Sequence, residues 1–243
     1  MDKVMKITLG LFFIILASFA GMLAYNGYVD TAYRNTITGT YTYTCNITTD
    51  APLYNVTLFI PVPADREGNS PVVSALSSRA VSGIPADWET NLYDTGKSTM
   101  VKVMTPAIVP PAGTSKSNPY TISLSFESRS GSPVDTRNPG EKSAVFRPMQ
   151  DIRERTCVLS TGTQAPCSSF TTTIYADYQA RPDAHVKITS GFVGRNTWTI
   201  FGPQSNEFQS EISLGLTGEN HGWANAEGQL VTGIGTYAVP AGS

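Results

Sequence analysis

The hydrophobic pattern divides the chain into two unequal parts. Residues 7–25 form an unbroken apolar run without a charged side chain, whereas apolar and polar residues alternate in short stretches through much of the remainder. As an α-helix, residues 7–25 span about 28 Å, close to the roughly 30 Å of hydrocarbon in a bilayer. The pattern therefore predicts one apolar helix of membrane-spanning length, followed by β-structure.

The apolar run 7–25 has three possible interpretations. A transmembrane anchor is favoured because aromatic side chains that suit the membrane interface follow directly, namely Tyr25, Tyr28 and Tyr33. A cleaved signal peptide is the first alternative, because small residues up to Ala20 suit a signal peptidase. A buried core helix is the second alternative.

The basic residues around this run predict its orientation. Lys3 and Lys6 precede the run, and only Arg34 lies close behind it. The positive-inside rule then leaves residues 1–6 in the cytoplasm and the C-terminal domain outside. We expect a single-pass protein of the cell membrane, with residues 7–25 inserted in the bilayer. If the N-terminal segment is cleaved, we expect a secreted protein.

The alternation behind the run is regular enough to predict individual strands. In residues 36–44 every even position is Thr, and Tyr41, Tyr43 and Cys45 share the opposite face. In residues 53–62 Tyr54 and the even positions after it form the apolar face. The turn residues between these stretches predict a hairpin.

Further alternating stretches complete a predicted set of roughly nine or ten strands. They cover residues 100–105, 120–127, 170–178, 185–190, 197–201, 211–217 and 229–239. A Gly/Asn turn is expected between 185–190 and 197–201, and a short helix is possible within 72–81.

Short strands without intervening helices predict an all-β fold, an antiparallel β-sandwich ectodomain behind one N-terminal transmembrane helix. A juxtamembrane segment, 26–35, would lead into one β-domain over 36–243. The Ser-, Gly- and Pro-containing stretch 128–142 is expected to be a long loop, or a linker that divides two smaller sandwiches.

Cysteines and sequons agree with an exported domain. Cys157 and Cys167 bracket a short Gly- and Pro-containing loop, so a disulfide is expected in an oxidising compartment, with two buried thiols as the alternative. Cys45 is left over. Asn46 and Asn55 each begin an N-glycosylation sequon and point away from the apolar face in the predicted register, so glycosylation at these sites is expected.

The charge of the chain excludes one class of partner. Removing Asp2, Lys3 and Lys6 from the 17 basic and 19 acidic residues leaves 15 and 18, a net charge of −3 outside the membrane. So weak a field does not attract nucleic acid or an anionic surface. No nucleic-acid partner is expected.

Catalytic motifs are absent from the sequence. It has no Gly-x-Ser-x-Gly elbow, no His-Glu-x-x-His and no phosphate loop, so a non-enzymatic protein without cofactor or metal is expected. Residues 65–69 imitate the start of a calcium loop, but Leu76 stands where the bidentate carboxylate is required. A mixed-charge stretch favours surface ion pairs over anion binding. It contains Arg147, Asp151, Arg153, Glu154 and Arg155.

One segment offers a possible ligand contact. Glu219, His221 and Trp223 stand close together in a predicted glycine-flanked turn. A carboxylate can orient an imidazole as a base, which keeps an extracellular hydrolase as an alternative. Trp198 is expected in the core, whereas Trp88 and Trp223 are expected in loops. An exposed tryptophan on a β-sandwich can stack on a sugar ring, so a carbohydrate-binding module is a second alternative.

Four segments carry a resemblance: the apolar helix, LYNVTLFIPVP, NEFQSEISL with Asn206 and Glu207, and HGW followed by LVTGIGTY. Together they resemble membrane-anchored exported β-domain proteins of archaea. The resemblance spans most of the chain and implies location and fold class, but no catalytic residue. An archaeal pilin-like filament subunit is a further alternative. Against it, the apolar run has no internal Glu and no basic residue directly before a small one at its head.

The expected function is therefore binding, adhesion or assembly in the cell envelope, with an envelope protein or a glycan as partner.

Overall fold

The computed structural model describes residues 3–78, 80–94, 98–159 and 162–237. Within these ranges it contains three helices and ten strands. In chain order they are α1 (Lys3–Thr36), β1 (Thr38–Thr49), β2 (Leu53–Pro61), α2 (Pro71–Ser77), β3 (Glu89–Asp94), β4 (Thr99–Ile108), β5 (Tyr120–Arg129), α3 (Pro139–Lys142), β6 (Gln150–Val158), β7 (Gln164–Gln179), β8 (His185–Thr199), β9 (Pro203–Thr217) and β10 (Asn220–Gly235).

Helix α1 is longer than the apolar run that predicts it. The expected juxtamembrane segment 26–35 is helical, and the first strand begins at Thr38 rather than at residue 36. An i,i+4 ion pair between Asp30 and Arg34, 2.9 Å apart, supports this extension. The part Ile7–Thr36 is long and apolar enough to cross a membrane, and its most apolar stretch is not buried in the protein. The core-helix alternative is therefore wrong, while an anchor and a signal sequence both fit.

The strands confirm the all-β, antiparallel class. They form one curled sheet in the order β3-β4-β2-β7-β10-β9-β8-β1-β5. Strand β6 pairs with residues 164–171 of β7, whereas β2 pairs with residues 175–179 of the same strand. Strands β9 and β10 pair along only part of their length. In the described residues the ladder joins Asn206–Ser213 of β9 to Glu227–Gly235 of β10. The two halves of the sheet can therefore separate beyond this ladder and face each other, so the layers of the expected sandwich are halves of one continuous sheet.

The two halves share one large hydrophobic core, and a small second cluster surrounds Cys167. Residues of one half, such as Ile47 of β1, Phe192 of β8 and Phe208 of β9, share one buried cluster with residues of the other half, such as Leu58 of β2. Helix α2 overlaps the expected helical stretch 72–81, beginning one residue earlier and ending at Ser77, and contributes Val72 to this cluster. Strands on both sides of residues 128–142 belong to the same sheet and the same core.

The expected turn between 185–190 and 197–201 is wrong, because β8 runs without a break from His185 to Thr199 and the chain reverses only after it. Its glycines mark a close approach instead of a reversal. A Cβ atom added at Gly194 would lie 2.2 Å from Cε1 of Phe208, a fully buried ring on β9. Strand β8 therefore needs a residue without a side chain at this position.

The register predicted for β2 is wrong at its beginning. Asn55 has a φ of 53°, and the ladder with β7 gains one extra residue on β2 between Tyr54 and Thr57. Asparagine tolerates this left-handed conformation better than most residues. The bulge places Leu53 and Val56 inside and leaves Tyr54 half exposed, so Tyr54 is not part of the apolar face.

Residues 128–142, expected to be exposed, include buried positions. Val134 is buried, and its backbone N–H and C=O both bind the side-chain amide of Asn196, each at 2.8 Å. Asn196 also donates to Oδ1 of Asn206 at 2.9 Å. Helix α3 lies at the end of the segment. The stretch is therefore fixed to β8 and β9 by buried hydrogen bonds and is not a free linker.

The cysteines are placed as the sequence predicts. The Sγ atoms of Cys157 on β6 and Cys167 on β7 are 2.06 Å apart, a disulfide bond. Cys45 on β1 faces the hydrophobic core as a free thiol, and burial raises its pKa to about 12. The thiol is therefore protonated and shielded from reagents in the folded protein.

Candidate functional site

The outer face of the sheet carries a row of aromatic side chains across three neighbouring strands. Trp223 on β10 lies opposite Tyr175 on β7, which in turn lies opposite Phe59 on β2. The centroids of the Trp223 and Tyr175 rings are 5.4 Å apart, and those of Tyr175 and Phe59 are 5.1 Å apart. The centroids of the two outer rings, Trp223 and Phe59, are 6.4 Å apart, so the three rings form a compact cluster.

Two further side chains extend this row towards the edge of the sheet. Tyr93 on β3 packs edge-on against Phe59, with ring centroids 4.9 Å apart. Lys102 on β4 lies opposite Phe59, and its Nζ is 5.6 Å from the centre of the Phe59 ring. We call Phe59, Tyr93, Tyr175 and Trp223 the aromatic patch. Its end members, Tyr93 and Trp223, are 47% and 54% exposed, so solvent reaches both ends.

A polar row borders the aromatic patch two residues farther along β7 and β10. His221 lies opposite Asp177, and its Nδ1 is 2.7 Å from Oδ1 of that carboxylate. Its Nε2 is 3.9 Å from Oε2 of Glu219. The hydroxyl of Tyr175 donates to Oδ2 of Asp177 at 3.4 Å, which links the polar row to the patch. Asp177 is therefore shared between an imidazole and a phenol.

The environment of Tyr175 keeps its hydroxyl neutral. Partial burial raises the pKa of Tyr175, and the charge of Asp177 and the hydrogen bond to it act in the same direction. A neutral phenol that donates to Asp177 leaves its own oxygen free to accept a hydrogen bond from a ligand. The border of the patch thus offers carboxylate acceptors, an imidazole and a phenol.

The segment around His221 and Trp223 is not the expected turn. Strand β10 begins at Asn220, so both residues are positions on a regular strand, paired with Asp177 and Tyr175. Glu219 and His221 do approach each other, as their spacing suggests. Trp88 lies in the loop before β3, as expected, but its side chain is buried in the core, and Trp198 is buried as predicted.

Sequence reasoning missed Phe59, Tyr93, Tyr175 and Asp177. The signal was present for two of them, because Phe59 and Tyr175 are outward positions of strands whose inward positions alternate clearly. An aromatic residue on the solvent face of two strands is unusual enough to be noted. What the sequence does not give is the order of strands that brings them beside Trp223.

Both sequon asparagines lie on the outside of the sheet. Asn46 is half buried on β1, between β5 and β8. Asn55 is exposed at the bulge of β2, where its Nδ2 donates to Oε1 of Gln179 at 3.3 Å. Asn55 is therefore the more accessible of the two. Glycosylation of either residue stays a prediction.

The mixed-charge stretch lines two grooves, and Arg155 contributes to both of them. Arg147 donates hydrogen bonds to the backbone oxygens of Ala64 and Gly140. Its pKa is lowered from the usual value, mainly by burial and secondly by the positive charge of Arg66. Arg153 and Arg155 line one of the two grooves, about 580 Å³ in volume, on the outer face. Glu211, Glu227 and Asp151 line the same groove. Because both signs of charge line the groove, it does not define one class of ligand.

The loop that imitates a calcium site is closed by its own hydrogen bonds. Both carboxylate oxygens of Asp65 accept from Asn69, one from the backbone N–H and one from the side-chain amide. Within the ranges the structure describes, no group of three or more His, Cys, Asp or Glu side chains converges as metal ligands would.

The aromatic patch with its polar border is therefore the surface best suited to bind a ligand. Comparisons with protein-family models, with curated proteins and with solved structures find no match to this chain.

Proposed function

We propose that this chain is a single-pass membrane protein of the cell envelope whose extracytoplasmic β-domain binds glycan on the aromatic patch. The observation that carries the proposal is the row of Trp223, Tyr175 and Phe59 on the outer face, bordered by Asp177 and His221. Helix α1 supplies the anchor. The disulfide between Cys157 and Cys167 supports an oxidising compartment outside the cytoplasm.

The chemistry of the patch suits a sugar chain. A sugar ring has an apolar face of C–H groups and a rim of hydroxyls, so it is complemented by an aromatic face with hydrogen-bonding groups beside it. The centroids of Trp223 and Phe59 are 6.4 Å apart and their planes are inclined by 30°, so these rings offer one compact stacking surface. Asp177 and His221 lie along one side of this row, where hydroxyls of a stacked sugar can reach them.

Two other binding modes fit this surface less well. The core of a protein–protein interface is depleted of charged side chains, whereas Lys102 and Asp177 border the rings directly. A hydrolase needs its acid and base in a concave site that holds the substrate and positions one attacking water. The side chains of His221 and Glu219 are 57% and 64% exposed on an open strand face, which supports binding over catalysis.

Replacing Trp223 with alanine is expected to weaken glycan binding at least tenfold, because it removes the most exposed ring of the patch. The measurement is calorimetric titration of the full chain in phosphatidylcholine nanodiscs. The probes are cellopentaose, chitopentaose and mannopentaose. The Trp223→Phe variant keeps an aromatic face and is expected to bind within about threefold of the wild type.

Val158→Ala serves as the surface control, because Val158 is 70% exposed on β6, away from the patch. Binding by neither wild type nor variants to any of the three oligosaccharides would count against glycan binding of this class. Equal binding by wild type and Trp223→Ala would place the site elsewhere.

Mass spectrometry of the protein isolated from its native membrane tests the anchor. We expect an intact N-terminus, because the apolar run continues beyond Ala20, where a mature N-terminus is normally polar. We also expect a larger fraction of chains to carry added hexose mass at Asn55 than at Asn46, because Asn55 is the more exposed. A chain that begins at residue 21 would show a secreted protein and overturn the anchor.

A further inference from the structure

The turn between β8 and β9 presents an aromatic ring at its tip. Phe201 has a φ of 54°, a left-handed conformation that is rare for a bulky residue, and is 74% exposed. The turn is closed by a hydrogen bond from the N–H of Ile200 to the oxygen of Gly202. An aromatic residue that is both exposed and in an unfavourable backbone conformation has no explanation in the packing of the β-domain itself.

The ring of Phe201 lies beside the end of the apolar run of α1. Its centroid is 6.1 Å from that of Tyr25 and 5.3 Å from that of Tyr28. The apolar run ends at Tyr25, and Tyr28 is about 4.5 Å farther along the helix axis. Phe201 therefore lies at the level where the hydrocarbon of a spanned membrane gives way to the headgroups.

The next turns of α1 hold the hairpin at this level. Trp198 packs edge-on against Tyr33, with ring centroids 5.4 Å apart. The backbone N–H of Thr199 donates to Oγ1 of Thr36 at 3.0 Å. These contacts attach the end of β8 to the last turns of α1, which follow the apolar run.

The composition of the hairpin suits a lipid interface. From Asn196 to Asn206 the chain has no charged residue. The nearest charges, Arg195 and Glu207, pair with each other across β8 and β9. Aromatic side chains concentrate at the membrane–water boundary, where a ring can leave water without burying a charge.

We infer that the β8–β9 hairpin is a second membrane contact, with Phe201 inserted into the headgroup region of the leaflet from which α1 emerges. The occupant of this surface is the lipid bilayer. The inference rests on the proposed function in one respect, that α1 spans the membrane. The hairpin adds a second point of contact, so it fixes how the β-domain is oriented on the bilayer.

A single fluorescent label tests this contact. Phe201→Cys in the full chain is labelled with an environment-sensitive nitrobenzoxadiazole group and reconstituted in phosphatidylcholine nanodiscs. Cys45 is buried and the other two cysteines are bonded, so the introduced thiol is the reactive one among the described residues. We expect a blue-shifted emission that nitroxide-bearing lipids quench by at least half.

The matched control is Glu219→Cys, whose side chain is 64% exposed beyond the opposite end of β9. Its label is expected to emit as in water and to resist quenching. Pro203→Cys, next to the turn, serves as a second probe if Phe201→Cys fails to fold, and should also be quenched.

Emission from residue 201 that matches the control would overturn the membrane contact. A blue shift without lipid quenching would also overturn it, because the label would then be buried against protein. Both results leave the anchor intact, since the reconstituted chain carries its N-terminal segment. Loss of that segment in the native protein, in contrast, is detected by mass spectrometry alone.

Discussion

Replacement of Asn196 by leucine is expected to lower the free energy of unfolding of the β-domain by about 4 kcal/mol. Asn196 is almost fully buried, and its amide satisfies both backbone groups of the buried Val134 and one oxygen of Asn206. Leucine leaves the N–H and C=O of Val134 without partners, and each buried unsatisfied group costs about 1–3 kcal/mol. Urea unfolding of the full chain in detergent, followed by tryptophan fluorescence, measures the change.

The control for this substitution is Asn225→Leu, at an exposed position of β10. It makes the same chemical change on the solvent face and is expected to alter stability by less than about 0.5 kcal/mol. Equal losses for the two variants would show that residues 128–142 are not held by the Asn196 amide.

Replacement of Gly194 by alanine is expected to destabilise the domain by about 3 kcal/mol. The added Cβ would lie 2.2 Å from Cε1 and 2.8 Å from Cζ of Phe208, and 2.9 Å from Cγ1 of Val134. Phe208 is fully buried and packs near Phe192, so its ring cannot move away without disturbing the core. The same unfolding measurement reports the loss.

A double-mutant cycle identifies the cause. Phe208→Leu shortens the opposing side chain, so the cost of Gly194→Ala is expected to fall by at least about 1 kcal/mol in its presence. Gly215→Ala is the control, because a Cβ there meets nothing within 4 Å. Additive losses at residues 194 and 208 would contradict the clash.

The fold was predictable where the evidence is local. Alternation of side chains located β1 and most of β2, a run without charges located α1, and a ten-residue separation suited the disulfide. The failures arose where the deciding contact lies in another strand. The sequence around Gly194 predicts a turn, because the contact with Phe208, fourteen positions later, is not visible in the local pattern.

The candidate site was only partly predictable for the same reason. The residue types of His221 and Trp223 mark them as candidate ligand contacts, but the local sequence predicts a turn at their position. Their partners Asp177 and Tyr175 stand more than forty residues earlier, and Phe59 lies more than a hundred residues before Tyr175. Nothing in the alternation of one strand reveals which other strand lies beside it, so the patch emerges only with the strand order.

The length of β9 has a consequence for where the protein acts. Its 15 residues cover about 45 Å, from the Phe201 turn to Thr217, and β10 begins directly afterwards at Asn220. Trp223 therefore lies near the end of the domain that is farthest from α1. With the helix in a membrane, the rings would stand well above the lipid headgroups. They would meet material of a surrounding wall, a surface coat or an adjacent cell, and not the lipids of their own membrane.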